Sequence, residues 1–123
     1  MTQNESASSA AEIVALEWQS VLAEDAGLTD PQVPHSAYAY PELRQLFPGI
    51  SHGTLFLSRC TRYPLTRDIP TVYSRVGGGY TVIRLSDGVR LRETATLDEA
   101  YALVVANLPP GTGPAIDGTA DDL

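Results

Sequence analysis

The apolar residues change period twice along this chain, and that change constrains the fold more than any other feature. Ser9-Ala10-Ala11-Glu12 fits a capping box, in which the serine oxygen accepts from the third helical N–H and the glutamate reaches back. Ile13, Val14, Leu16, Trp18, Val21, Leu22 and Ala23 follow at helical spacing, and Gly27 supplies a left-handed stop. The spacing predicts a first helix over 10–26. Pro31 and Pro34 mark 28–35 as a connector, Ser36 to Tyr40 reads as a helical turn, and Pro41 opens a short second helix to Phe47 that ends at Pro48-Gly49. From Thr54 the period becomes two. Strands are expected over 54–59, 71–76, 80–85 and 89–94. Helical spacing returns after a second capping box, Thr96-Leu97-Asp98-Glu99, and predicts a helix to about 107 before Pro109-Pro110.

Strands grouped between helices imply an α+β fold: two N-terminal helices, a four-stranded antiparallel meander, and a C-terminal helix packed on one sheet face. Residues 9–110 are expected to form the one domain. A disordered tail, 1–8, precedes it, and a flexible acidic C-terminal tail, 111–123, follows. Ser86-Asp87-Gly88 reads as a three-residue turn pairing Leu85 with Val89, Ile83 with Leu91 and Thr81 with Glu93. That register makes Ile83, Leu85, Val89 and Leu91 a core face. It puts Arg84, Arg90 and Arg92 together on the other.

Composition excludes several classes. Apolar residues at 43% suffice for a globular interior in 123 residues, but no run reaches the length of a membrane span. The start, Met1 to Ser6, is neither basic nor apolar, so it is no secretory signal, and a cytoplasmic protein is the simplest reading. The net charge of −7 argues against nucleic acid as a partner. The basic residues are all arginines, and all eight lie between Arg44 and Arg92 with only Asp68 and Asp87 among them. One cysteine and two histidines 17 positions apart provide no metal-ligand spacing, and no cofactor motif is present: Gly77-Gly78-Gly79 links strand to strand, not strand to helix.

The stretches PELRQLFPGISHGTLFLSR, DIP, GGGYTVI and TLDEAYALVVANLPPGTGPAIDGTA carry a resemblance. Together they resemble a family of small actinobacterial proteins of unknown function associated with natural-product biosynthesis, with the pattern S-H-x-x-L-x-F-S, then G-G-x-Y-x-V, then L-P-x-G-x-G-P. The match covers roughly 36–120. Ser51, His52, Leu55 and Ser58 fit, while Leu57 stands where phenylalanine is usual. The resemblance implies a biosynthetic setting and brings no catalytic residues with it.

Four groups of residues are candidates for chemistry. His52, between a helix end and the first strand, is either a proton-transfer group or a residue whose ring locks the turn. Arg84, Arg90 and Arg92, with Arg59 and Arg75 at the border, form either an anion site or a solvated sheet face. Cys60 lies between Arg59 and Arg62, which would favour a thiolate; a buried structural cysteine is the alternative. His35, in the connector, reads as a surface residue, and the six tyrosines are divided between core and any pocket.

Two functions fit this reading. In the first, the protein binds an anionic metabolite or carrier-linked intermediate on its arginines, with His52 as acid or base in a cyclisation, elimination or hydrolysis. In the second, it is a non-catalytic accessory protein that stabilises a larger biosynthetic enzyme through a homodimer or hetero-complex. A pocket holding His52 and an arginine favours the first; a flat apolar patch on the first helix favours the second.

Overall fold

The computed structural model describes residues 2–23 and 30–123, with side chains described from residue 10 onward. The helix stop expected at Gly27 and the end of the first helix at 26 lie outside the described residues. Helix α1 runs Thr2–Leu22, so the box at Ser9 to Glu12 lies within the helix and not at its start. Nothing in Gln3 to Ala10 interrupts a helix: the segment has neither glycine nor proline. The buried face of α1 is Val14, Trp18 and Val21, at spacings of four and three. Leu16, expected on the same stripe, is 63% exposed, because two residues turn a helix by about 200° from Val14.

Helix α2, Gln32–Tyr38, takes in the second half of the expected connector and most of the expected turn after it. Pro34 is tolerated there because it sits in the first turn, where its missing N–H has no partner to lose. Asp30 accepts from the Gln32 N–H at 3.0 Å and closes that turn. Helix α3 is short, Pro41–Arg44, with extended Tyr40 before it and the proline at its first position.

The expected four-stranded meander is replaced by five strands in two antiparallel sheets. Strand β1, Phe47–Ser51, begins at the expected last residue of the second helix and runs through its expected Pro48-Gly49 stop. It pairs with β2, Thr54–Ser58, from Phe47 opposite Ser58 to Ser51 opposite Thr54. The connection is the two-residue loop His52-Gly53, with φ of 53° and 77°. Positive φ at both positions matches the twist of a type I′ hairpin. Proline and glycine in β1 disguise it, yet a two-stranded ribbon leaves one side of each strand free of ladder bonds, which is where proline is accepted.

The second sheet orders β3, Thr71–Ser74, β4, Tyr80–Arg84, and β5, Val89–Thr94, as a meander. Its last hairpin departs from the expected register. Thr81 does face Glu93, but Val82 faces Arg92, Ile83 faces Arg90 and Arg84 faces Val89, with a bulge between Val82 and Ile83. Leu91 is the extra residue, and the loop is four residues, 85–88. Asp87 closes it by accepting from the Val89 N–H at 3.1 Å while Gly88 N–H donates to the Arg84 carbonyl at 2.8 Å. The expected core face is accordingly wrong. Val82 is fully buried, whereas Val89 is 42% exposed and Ile83 and Leu91 are half-buried.

Helix α4, Leu97–Ala106, has the capping box read from the sequence: Thr96 accepts from Glu99 N–H, and the Glu99 carboxylate accepts from Thr96 N–H. It packs on all three strands of the second sheet through Leu97, Ala100, Tyr101 and Val104. Helix α1 packs on β1, and the core is one continuous cluster running from Trp18 through Leu43 and Leu55 to Val82 and Tyr101. The 111–123 segment, expected as a flexible tail, is docked along the chain near Cys60. Ala115 N–H donates to Gln45 carbonyl, Ile116 N–H to Arg59 carbonyl, and Arg62 N–H to Gly118 carbonyl. Cys60 and Ile116 form a parallel bridge, and a 3-10 turn, Ala120–Asp122, ends the chain.

Candidate functional site

Sheets β1–β2 and β3–β4–β5 touch along β2 and β3 without forming a ladder. Between them, the segment after β2 crosses over and encloses a groove of about 590 Å³. Gly49, Ile50 and Ser51 of β1 and Phe56 and Leu57 of β2 form one side; Ile69, Thr71, Tyr73 and Leu85 form the other; 63–67 form the outer wall. Thr71 and Tyr73, two apart on a strand, point the same way by the pleat.

A buried hydroxyl ties the outer wall to the end of β2. Ser58, 3% exposed, accepts at Oγ from Thr66 N–H and from Cys60 N–H, each at 3.1 Å. The Thr66 hydroxyl in turn lies 3.3 Å from Ser58 Oγ and accepts from Arg59 N–H at 2.9 Å. The last serine of the S-H-x-x-L-x-F-S pattern thus ties the loop to the strand. Arg59 Nε donates to Asp68 at 3.0 Å and closes the far end of the loop. Cys60 is fully buried, its thiol 3.6 Å from the carbonyls of Arg62 and Pro64. That is a structural setting: a small apolar group with a weak donor, sealed from any substrate.

The residues singled out from the sequence do not converge. His52 sits at the exposed hairpin turn, with Ser51 Oγ 3.1 Å from its Nδ1. It borders a smaller, polar hollow of about 260 Å³ with Thr54, Ser74, Tyr73 and Tyr80, and no arginine lines that hollow. Arg84 lies within 2.8 Å of Asp87, and this bond holds the Asp87 carboxyl below its usual range while raising the guanidinium. Arg90 lies 3.8 Å from Glu93, which Arg75 also approaches at 3.1 Å. Arg59 is taken by Asp68, and Arg92 makes no ion pair among the described residues. None of Arg59, Arg84, Arg90 and Arg92 lines the groove. The arginine that does is Arg67, exposed at its rim. No spacing in the sequence distinguishes Arg67 from its seven counterparts.

Other polar groups lie outside the groove. The Tyr101 hydroxyl is buried without a hydrogen-bond partner among the described residues, and burial, with Tyr80 second, pushes its pKa up. His35 is exposed on α2. Among the described residues no group of three or more His, Cys, Asp or Glu side chains is placed to hold a metal ion, and no helix is long and apolar enough to cross a membrane.

Residues 12–119 match the model of a family of unknown function, DUF6193. No curated protein and no solved structure matches the chain.

Proposed function

We propose that this chain, which belongs to the DUF6193 family, is a small-molecule binding protein of natural-product biosynthesis whose ligand lies in the groove between the two sheets. The observation that carries this reading is the groove itself. At about 590 Å³ it falls within the range for sites that enclose a metabolite-sized ligand, and its walls combine apolar Phe56, Leu57, Ile69 and Leu85 with the hydroxyl-bearing Ser51, Thr66, Thr71 and Tyr73. The biosynthetic setting comes from the sequence resemblance.

Binding is favoured over catalysis by the placement of the polar residues. A general acid–base group must reach the reacting atom within hydrogen-bonding distance, and His52 faces the separate hollow and not the groove. The accessory reading called for a flat apolar patch on the first helix. Around exposed Leu16 the outward residues are Ala11, Glu12, Ala15, Gln19 and Ser20, which is an ordinary solvated face.

Gly49 offers a direct test. It lines the groove, and a Cβ built there meets nothing within 4 Å. It faces Phe56 across the ladder, so Gly49→Phe fills the groove with an aromatic cross-strand pair that suits a strand. Calorimetry against carboxylated, sulfated and carrier-linked intermediates of the surrounding pathway should show binding by the native chain and none by Gly49→Phe, with unchanged circular dichroism. Equal binding by both proteins would place the ligand elsewhere and overturn the reading.

A further inference from the structure

The charge on the ligand follows from the fate of each arginine. Five of the eight pair with carboxylates: Arg59 with Asp68, Arg62 with Asp117, Arg75 and Arg90 with Glu93, and Arg84 with Asp87. Arg44 donates to the carbonyls of Tyr38 and Ala39 and stacks on the Tyr38 ring at 5.2 Å. Arg67 and Arg92 are left, and the guanidinium of neither makes a hydrogen bond or ion pair among the described residues. Arg92 lies on β5, away from the groove; Arg67 lines it, and no aspartate or glutamate does. An acidic chain that neutralises most of its cations internally has kept one free at the mouth of this groove.

We infer that the groove selects an amphipathic organic anion, its carboxylate or sulfonate held at the rim by Arg67 and its apolar body packed inside against Phe56 and Tyr73. The inference rests on the groove being the ligand site. A guanidinium presents paired N–H donors that match the oxygens of such a head group, and it stays charged at any working pH. The net charge of −7 opposes any anion at long range, but that field is largely screened beyond about 8 Å at physiological ionic strength, so the nearby cation decides. A charge-assisted hydrogen bond at an exposed rim is worth about tenfold in affinity.

Two fluorescent probes separate the charge from the groove: anilinonaphthalene sulfonate, an aromatic anion, and phenylnaphthylamine, the same ring system without the sulfonate. Both are titrated at physiological ionic strength. The native chain should bind the sulfonate about tenfold more tightly than the neutral dye. Arg67→Gln should erase that preference by weakening the sulfonate alone, Arg92→Gln should leave it intact, and Gly49→Phe should abolish binding of both. If both dyes bind with equal affinity and are lost in Gly49→Phe, or if Arg67→Gln leaves the preference unchanged, the charge selection is overturned while the groove stands. If neither dye binds, or both still bind to Gly49→Phe, the groove reading fails and the inference with it.

Discussion

Replacing Trp18 tests how the fold is tied together. Its ring is 1% exposed, its indole N–H donates to the Leu46 carbonyl at 3.0 Å, and it meets Tyr38 edge-on at 5.2 Å. One side chain therefore joins α1, α2 and the entry to β1. Trp18→Ala removes the ring from a packed interior and should cost about 3–5 kcal/mol, a large share of the roughly 5–15 kcal/mol that keeps a domain folded. Trp18→Phe is the sharper probe. It retains an aromatic ring beside Tyr38 but leaves the buried Leu46 carbonyl without its donor, at a cost of about 1–3 kcal/mol. Because Trp18 is the one tryptophan, unfolding must be followed by far-ultraviolet circular dichroism in urea. A shift in midpoint at constant slope reports the stability change. A loss below about 1 kcal/mol for Trp18→Ala would mean that α1 is peripheral to the core. No measurable loss for Trp18→Phe would mean that the Leu46 carbonyl finds another donor.

Three further outcomes are expected. Ser58→Ala should destabilise the chain by about 2–4 kcal/mol in the same assay and weaken dye binding in the groove, since the Thr66 and Cys60 N–H groups lose their common acceptor; preserved stability would show that the loop holds itself. At His52, where φ is 53°, Asn should be tolerated and Val should cost about 1–2 kcal/mol, because a β-branched side chain is strained in left-handed backbone; dye affinity should stay unchanged in both variants, and its loss in the folded Asn variant would assign His52 to the site. The Asp87 carboxyl, followed by NMR, should titrate below the usual carboxylate range and return toward it in Arg84→Gln. Its folded pKa is lowered, so its contribution is present above the unfolded value and is lost as pH falls through the folded one. An unshifted native titration would mean that the bond to Arg84 is not populated.

Elements specified by neighbours a few residues apart are legible in the amino-acid sequence. The Thr96–Glu99 box, the Pro41 helix start and the strand at Val89–Thr94 are of this kind, because caps, turns and apolar periods act within one or two helical turns; the first helix is legible in the same way, but its wide apolar stripe does not separate buried Val14, Trp18 and Val21 from exposed Leu16. Strand β1 is legible in principle: His52-Gly53 between Ile50 and Leu55 has the form of a two-residue hairpin loop, but Pro48-Gly49 reads more strongly as a helix stop. Other features have no local signature. The bulge that sets Leu91 aside depends on Val82 reaching the core beneath α4, and the docking of 115–118 beside Cys60 depends on backbone groups more than 50 residues away in sequence. The groove is decided at the same level. Its walls come from β1, β2, the 63–69 segment, β3 and the turn after β4, which only the packing of two sheets brings together. Whether an arginine is available to a ligand depends on where every acid falls. Sequence placed eight arginines in the middle of the chain; tertiary structure paired five of them with carboxylates and left Arg67 at the mouth of the groove.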